Sequence, residues 1–194
     1  MMSLKIADAQ KDAVLATVSH ELRTPLNGML GMIQIMEKKI KEPELANYLS
    51  ICKNSGTLLL SLVNSILDIN QIRANKLKLY YEKIDVSKLL MNIISLFEFQ
   101  CSKKGIYLKI KMHGTTPKMI VTDKNRLSQI FINLVGNALK FTSSGGITIT
   151  AKDSVKHQDC ISFSVEDTGI GIRDEDKEKL FKVFGRLEND DAGV

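Results

Sequence analysis

The chain has 194 residues, 44% hydrophobic and 25% charged, with 27 basic and 22 acidic residues and a net charge of +5. That is enough for one large or two small globular domains. The lysines are scattered rather than clustered with aromatics, which argues against nucleic acid as a partner. Cys52, Cys101 and Cys160 are odd in number and far apart, so neither a disulfide framework nor a zinc site is predicted, and a reducing compartment fits best.

No apolar run approaches the length of a membrane span, and the N-terminus lacks a signal-peptide core. The segment is therefore predicted to make no membrane contact and to be cytoplasmic, which leaves room for a membrane-anchored parent protein.

From about Ile6 to Ile40 apolar residues recur at three- and four-residue spacing. Leu15, Val18, Leu22, Met29, Ile33, Met36 and Ile40 fall within about 40° of one line at 100° per residue. This predicts a helix whose inner face is centred near Leu22. His20 falls about 160° away. Its neighbours there, Ala13, Thr17, Thr24, Asn27 and Gly31, are small or polar, so another domain could approach the imidazole closely. Pro25 removes one helical hydrogen bond and predicts a kink or loosening beside His20.

A second helix is predicted from Glu44 to Asn75, with a heptad-like seam at Leu45, Leu49, Cys52, Gly56, Leu59, Val63, Ile66 and Asn70. Two long helices with a short turn make a hairpin. Each carries apolar residues flanking its seam, so homodimerisation into a four-helix bundle is expected. The composition changes after Ala74, which divides the chain into a helical unit over 1–75 and a second unit over 76–194.

In the second unit Lys76 to Lys83 alternates and reads as a strand. Asp85 caps a helix that Gly105 stops near Lys104. Ile106 to Met112 and Met119 to Val121 read as strands, and Asp123 caps a helix through Phe141. After a turn over 142–146, Ile147 to Lys152 and Ile161 to Glu166 form a strand pair. A short helix is expected near Glu175 to Lys179. The fold class is a helical hairpin followed by an α+β mixed sheet with helices on one face.

Two features of this unit carry chemistry. With Asn133 at zero on the Asp123 to Phe141 helix, Arg126, Gln129, Asn137 and Lys140 all lie within about 40° of it. Asparagine is a poor helix former, and two on one line ask for a reason. Amide oxygens can ligate a hard cation, and a lysine can meet phosphate oxygens; a solvated polar face is the bland alternative. The second feature is Asp167-Thr168-Gly169-Ile170-Gly171-Ile172, directly after an apolar strand. Its glycines allow close backbone approach to a ligand. It lacks the third glycine of a Rossmann fingerprint and the Gly-Lys-Ser/Thr of a Walker loop. His113 and His157 read as surface residues.

Taken together these stretches resemble a family. Ser19-His20-Glu21-Leu22-Arg23-Thr24-Pro25-Leu26-Asn27 is similar to the H box of two-component sensor histidine kinases. Asp123 to Thr142 resembles their N box, Asp167-x-Gly169-x-Gly171 their G1 box, and Phe181-x-x-Phe184 their F box. The Pro-Leu-Asn-Gly run after His20 is similar to that of hybrid kinases.

The resemblance implies a dimerisation and phosphotransfer hairpin joined to a GHKL-type ATP-binding sandwich. It implies autophosphorylation of His20 from ATP with Mg²⁺, followed by phosphoryl transfer to the receiver aspartate of a response regulator. Glu21 would be general base, and Thr24 would position water for dephosphorylation of the partner. Asn137, helped by Asn133, would hold Mg²⁺. Lys140 would meet the phosphates, Phe141 would line the adenine side, and Asp167 would read the adenine amine, with Gly169, Gly171 and Ile172 completing the nucleotide loop.

The sequence departs from the family pattern at its end. It stops at Gly193-Val194, before a second Gly-rich box and the last helix and strands. The expectation is a C-terminally incomplete sandwich, from a truncated or naturally incomplete kinase. The alternative reading is a dimerising phosphotransfer or scaffold fragment with an inactive ATP-binding half.

Overall fold

The structure, a computed structural model, describes residues 2–73, 77–114, 116–154 and 160–177, with side chains of the first helix from Thr17 onward. Helix α1 spans Met2–Lys39 and α2 spans Pro43–Arg73. Pro43 opens α2, where its fixed φ and missing N–H cost nothing. The two helices run antiparallel. Arg23 Nη2 donates to Asn64 Oδ1 at 2.8 Å, Lys53 Nζ meets Glu37 Oε2 at 2.8 Å, and Leu30 lies over Gly56. A Cβ on Gly56 would sit 2.8 Å from Leu30 Cδ2, so glycine there lets the helices close together.

The inner line of the hairpin differs from the one the periodicity predicts. Ser19, Leu26 and Leu30 are buried against α2, whereas Val18, Leu22, Met29 and Met36 are exposed. The buried line lies about 60° round the helix from Leu22. The apolar stripe of α1 is wide, and α2 covers only one side of it. On α2, Val63 is buried but Leu45, Cys52 and Leu59 of the expected seam are exposed. Helix α1 also runs unbroken through Pro25, where Thr24 Oγ1 bonds back to the His20 carbonyl at 3.3 Å.

Strand β1 is Glu82–Asp85, not the predicted 76–83. It pairs antiparallel with β3, Met119–Thr122, in register Glu82↔Thr122. The partner strand ends there, so the alternating residues at 77–81 find no ladder and stay irregular. Helix α3, Val86–Lys104, is capped by Asp85, whose carboxylate accepts from Lys88 N at 3.0 Å. It ends at Gly105, left-handed at φ 71°, whose N–H returns to Cys101 and Ser102.

Strand β2, Tyr107–Met112, runs parallel to β4, Gly146–Asp153, and β4 pairs antiparallel with β5, Ile161–Asp167. Between β3 and β4 lies α4, Lys124–Phe141. A last short helix, α5, covers Asp174–Lys177. The core is built from one face of α3 (Leu90, Ile93, Phe97), one face of α4 (Phe131, Val135, Ala138) and the inward side of β4 (Ile147, Ile149, Ala151). The Phe181-x-x-Phe184 motif, His157 and the end of the predicted last helix lie outside the described residues.

Candidate functional site

Helix α4 joins the core to the stripe the sequence singled out. Asp123 caps it, accepting from Arg126 N at 3.0 Å and from Tyr80 N, in the segment before β1, at 2.9 Å. The Tyr80 bond is the main reason the Asp123 carboxyl is held below the usual carboxylate range. Burial opposes that shift, and the N–H groups and charge at the helix start reinforce it. Phe131 meets Phe163 of β5 edge to face at 5.3 Å, which fixes the rotation of α4 on the sheet. With that face inward, Asn133, Asn137 and Lys140 are turned to solvent. Lys140 Nζ lies 4.7 Å above the Phe141 ring.

The loop after β5 closes onto the same end of α4. Asp167 Oδ1 accepts from Gly169 N at 2.8 Å, and Ile170 N donates to the Phe141 carbonyl at 3.3 Å. A Cβ on Gly169 would lie 2.5 Å from that carbonyl oxygen, so only glycine allows the seat. Gly171 has φ 69° and open space around it. Ile170 and Ile172 are exposed. Asp167, Gly169, Phe141 and Lys140 therefore gather at one end of α4, with Asn137 one turn behind.

Thr168 and Lys104, to which the sequence assigned no role, hold this corner. Thr168 Oγ1 donates to the Ser144 carbonyl at 2.6 Å and accepts from Gly146 N at 2.9 Å, stapling the loop to the turn before β4. Lys104 Nζ reaches the carbonyls of Leu139 at 2.7 Å and Lys140 at 3.2 Å, completing the C-terminal end of α4. Threonine in a glycine-rich loop was a legible hint for the first; nothing in sequence connects Lys104 to α4.

His20, Glu21 and Thr24 are exposed on α1. They do not join the α4 corner. A cleft of about 550 Å³ separates the hairpin from α4, and among its described lining residues α1 contributes Arg23 rather than His20. The first half of the α4 stripe faces this cleft. Arg126 pairs with Asp68 of α2, and Gln129 Nε2 donates to Ser65 Oγ at 2.8 Å and Asp68 Oδ2 at 2.9 Å. Sequence spacing put Arg126 and Gln129 on one line with the asparagines but could not divide that line between two surfaces.

Among the described residues no group of three or more His, Cys, Asp or Glu could hold a metal. The available hard donors at the α4 corner are the amides of Asn133 and Asn137. This donor set suits Mg²⁺, which takes few protein ligands and completes its shell with phosphate oxygens and water.

The described residues thus present two separate chemistry-bearing surfaces: an exposed histidine on a helical hairpin, and an amide, lysine and carboxylate corner on an α/β layer. Comparison with known families matches a domain to each. The model of the His Kinase A (phospho-acceptor) domain matches residues 10–75, and that of the histidine kinase-, DNA gyrase B- and HSP90-like ATPases matches residues 122–193. The chain thus carries, in this order, a phosphoacceptor domain and an ATPase domain of the histidine-kinase type.

It is 36% identical over 181 residues to the sensor histidine kinase GacS of Pseudomonas protegens, covering 92% of this chain and 20% of that protein. It is 31% identical to the aerobic respiration control sensor protein ArcB of Escherichia coli, covering 98% of this chain and 24% of that protein. The chain thus spans a quarter or less of these relatives. A crystal structure of full-length ShkA in complex with AMPPNP matches with a TM-score of 0.61 and 36% identity, over 90% of this chain and 37% of that one. Among the described residues no helix is long and apolar enough to cross a membrane.

Proposed function

We propose that this chain is the core of a histidine kinase that phosphorylates His20 from ATP and passes the phosphoryl group to a receiver aspartate. Residues 1–75 are the dimerisation and phosphotransfer unit and 76–194 the ATP-binding unit, in a cytoplasmic setting. The observation that carries the reading is the seating of Gly169 on the Phe141 carbonyl. It brings the Asp167 carboxylate to the end of the helix that displays Asn137 and Lys140. One oxygen of Asp167 is used by Gly169 N, leaving the other to accept from an exocyclic amine such as that of adenine.

Phe141 and the exposed apolar residues Ile170 and Ile172 offer apolar surface that a purine would cover. Lys140 meets phosphate as a point charge. Asn133 and Asn137 hold Mg²⁺, which when bound neutralises charge on the phosphates. In the transfer step the bond from His20 nitrogen to phosphorus forms as the bond to the leaving diphosphate breaks, and Glu21 takes the ring proton. Thr24 orients water for the reverse, dephosphorylating role. The exposed apolar side of α1 (Val18, Leu22, Met29, Met36) is the homodimer seam.

Incubation of the chain with radiolabelled ATP tests this. Acid-labile, base-stable label is expected in the wild type and none in His20→Gln. Label that persists in His20→Gln overturns the phosphoacceptor assignment. A wild type that takes no label itself, but is labelled on His20 by an added intact catalytic domain, would instead fit a phosphotransfer module with an inactive ATP-binding half.

A further inference from the structure

We propose that Lys104, at the end of α3, is a positioning residue for the nucleotide: its ammonium group offsets the negative carbonyl end of α4 and fixes the main chain that carries Lys140, so that the phosphates of ATP can be received there. The proposal rests on the nucleotide-binding part of the reading given above.

The last four carbonyls of an α-helix have no partner within the helix, and together they carry about half a negative charge. On α4 these belong to Ala138, Leu139, Lys140 and Phe141. Each has a donor. Thr142 N, in the turn that follows, donates to the Ala138 carbonyl at 3.0 Å, and Ile170 N, in the loop that carries Asp167, donates to that of Phe141 at 3.3 Å. The two carbonyls between them, of Leu139 and Lys140, accept from Lys104 Nζ at 2.7 and 3.2 Å. Of these three donors only Lys104 brings a charge.

That charge stands where an anion is otherwise disfavoured. Lys140 and Phe141 belong to the last turn of α4, with Asn137 one turn before Phe141. A triphosphate that meets Lys140 therefore comes close to the C-terminal end of a helix, which favours cations, rather than the N-terminal end, which favours anions. Helix α3 ends at Lys104 as well, so the carbonyl ends of two helices meet at this corner, and Asp167 adds a carboxylate. The two helix ends and the carboxylate carry about two negative charges before any ligand arrives. Lys140 supplies one positive charge and Lys104 a second. Lys104 also acts on geometry. It grips the main chain at Leu139 and Lys140, and so fixes the point from which the Lys140 side chain leaves the helix.

Binding of ATP and ADP, each with Mg²⁺, and of adenosine to the full chain is measured by calorimetry, beside the denaturant midpoint of each variant. Lys104→Met is expected to weaken ATP binding by about fivefold, the upper end for a charge at an exposed helix terminus, and adenosine binding by less than about twofold, with ADP between them. Lys104→Arg keeps the charge and the donors and should bind ATP like the wild type. Lys104→Gln keeps a donor without the charge and should resemble Lys104→Met. The excess loss for ATP should shrink as salt is raised, because Lys104 is exposed.

Equal ATP affinity in the wild type and Lys104→Met overturns the assignment and leaves the nucleotide reading standing. A loss of equal size for ATP and adenosine also overturns it, because Lys104 would then serve the fold alone. Full rescue by Lys104→Gln denies the part played by charge. If Lys104→Met does not fold, the comparison of Lys104→Gln with Lys104→Arg decides in its place, with equal ATP affinity in these two as the overturning result. If the wild type binds none of the three ligands, the nucleotide reading falls, and the role of Lys104 falls with it.

Discussion

The two units of this chain bury apolar residues on different terms. The α/β unit closes on itself: Leu90, Ile93, Phe131, Val135, Ile147 and Ile149 are all essentially inaccessible. The hairpin, as long as two-thirds of that unit in sequence, buries only Leu26, Leu30 and Val63 of its described apolar residues, and leaves Val18, Leu22, Met29, Met32, Ile35 and Met36 in water. Helices gain most of their stability by covering an amphipathic face, so α1 is left largely uncovered, whereas α4 buries Phe131, Val135 and Ala138 and exposes only Ile130 and Leu134 among its large apolar residues. The difference suits a division of labour. Under the proposed function, a nucleotide corner needs a rigid scaffold, while a phosphoacceptor helix needs a surface free to meet a second copy and, in turn, different visitors.

The closed core should be the most sensitive to substitution. Phe131→Ala removes a ring that meets Phe163 and should cost about 3–5 kcal/mol, read as a lower denaturant midpoint for the α/β unit. A far smaller loss would mean that this core is loosely packed. On the open side, Leu22→Glu should leave the α/β unit intact but convert a dimer to a monomer in light scattering, because it puts a charge on each side of the proposed seam. A dimer that survives both Leu22→Glu and Met29→Glu would move the seam elsewhere.

Gly169→Ala tests the junction of α4 and the loop. Its Cβ would collide with the Phe141 carbonyl, so weaker binding of a fluorescent adenine nucleotide is expected, by about tenfold for each 1.4 kcal/mol lost, with little change in folding. Equal binding would remove that loop from the site.

The smallest effect concerns pH. The folded Asp123 carboxyl is held below its ordinary value, so its contribution is whole above about pH 4 and is lost as pH falls through the lower, folded value. Asp123→Asn keeps only one of the two acceptor oxygens and sets an amide N–H against a backbone N–H, so it should cost about 1 kcal/mol at pH 7 and flatten the acid limb of the stability curve of the α/β unit.

Much of the α/β unit was legible because its signals are local. Asp85 and Asp123 cap helices where a carboxylate precedes an apolar period, and Gly105 ends one where a left-handed residue is needed. The strand expected from Lys76 failed because alternation says nothing about whether a partner lies alongside; β3 is four residues long and pairs only with 82–85. In the hairpin, periodicity correctly marked α1 as amphipathic but centred its inner face on Leu22. A wide stripe can meet α2 along either margin, and the fit of Leu30 over Gly56 chose Ser19, Leu26 and Leu30.

Of the candidate site, residue types and helix angle sufficed to single out Asn133, Asn137, Lys140 and the loop from Asp167, because chemistry-bearing side chains on one helical line are visible at fixed spacing. His20 was likewise marked by its position away from the apolar stripe. What depended on tertiary structure was which surfaces these lines meet. Gly169 and Phe141 are 28 residues apart in sequence, and Asp68 and Arg126 are 58 apart; their contacts come from chain paths that no local pattern encodes. The sequence alone therefore determined the inventory of groups and their faces, through backbone geometry. The packing of α4 on both sheet and hairpin decided that one half of a single polar stripe is turned to solvent and the other half is held by Ser65 and Asp68.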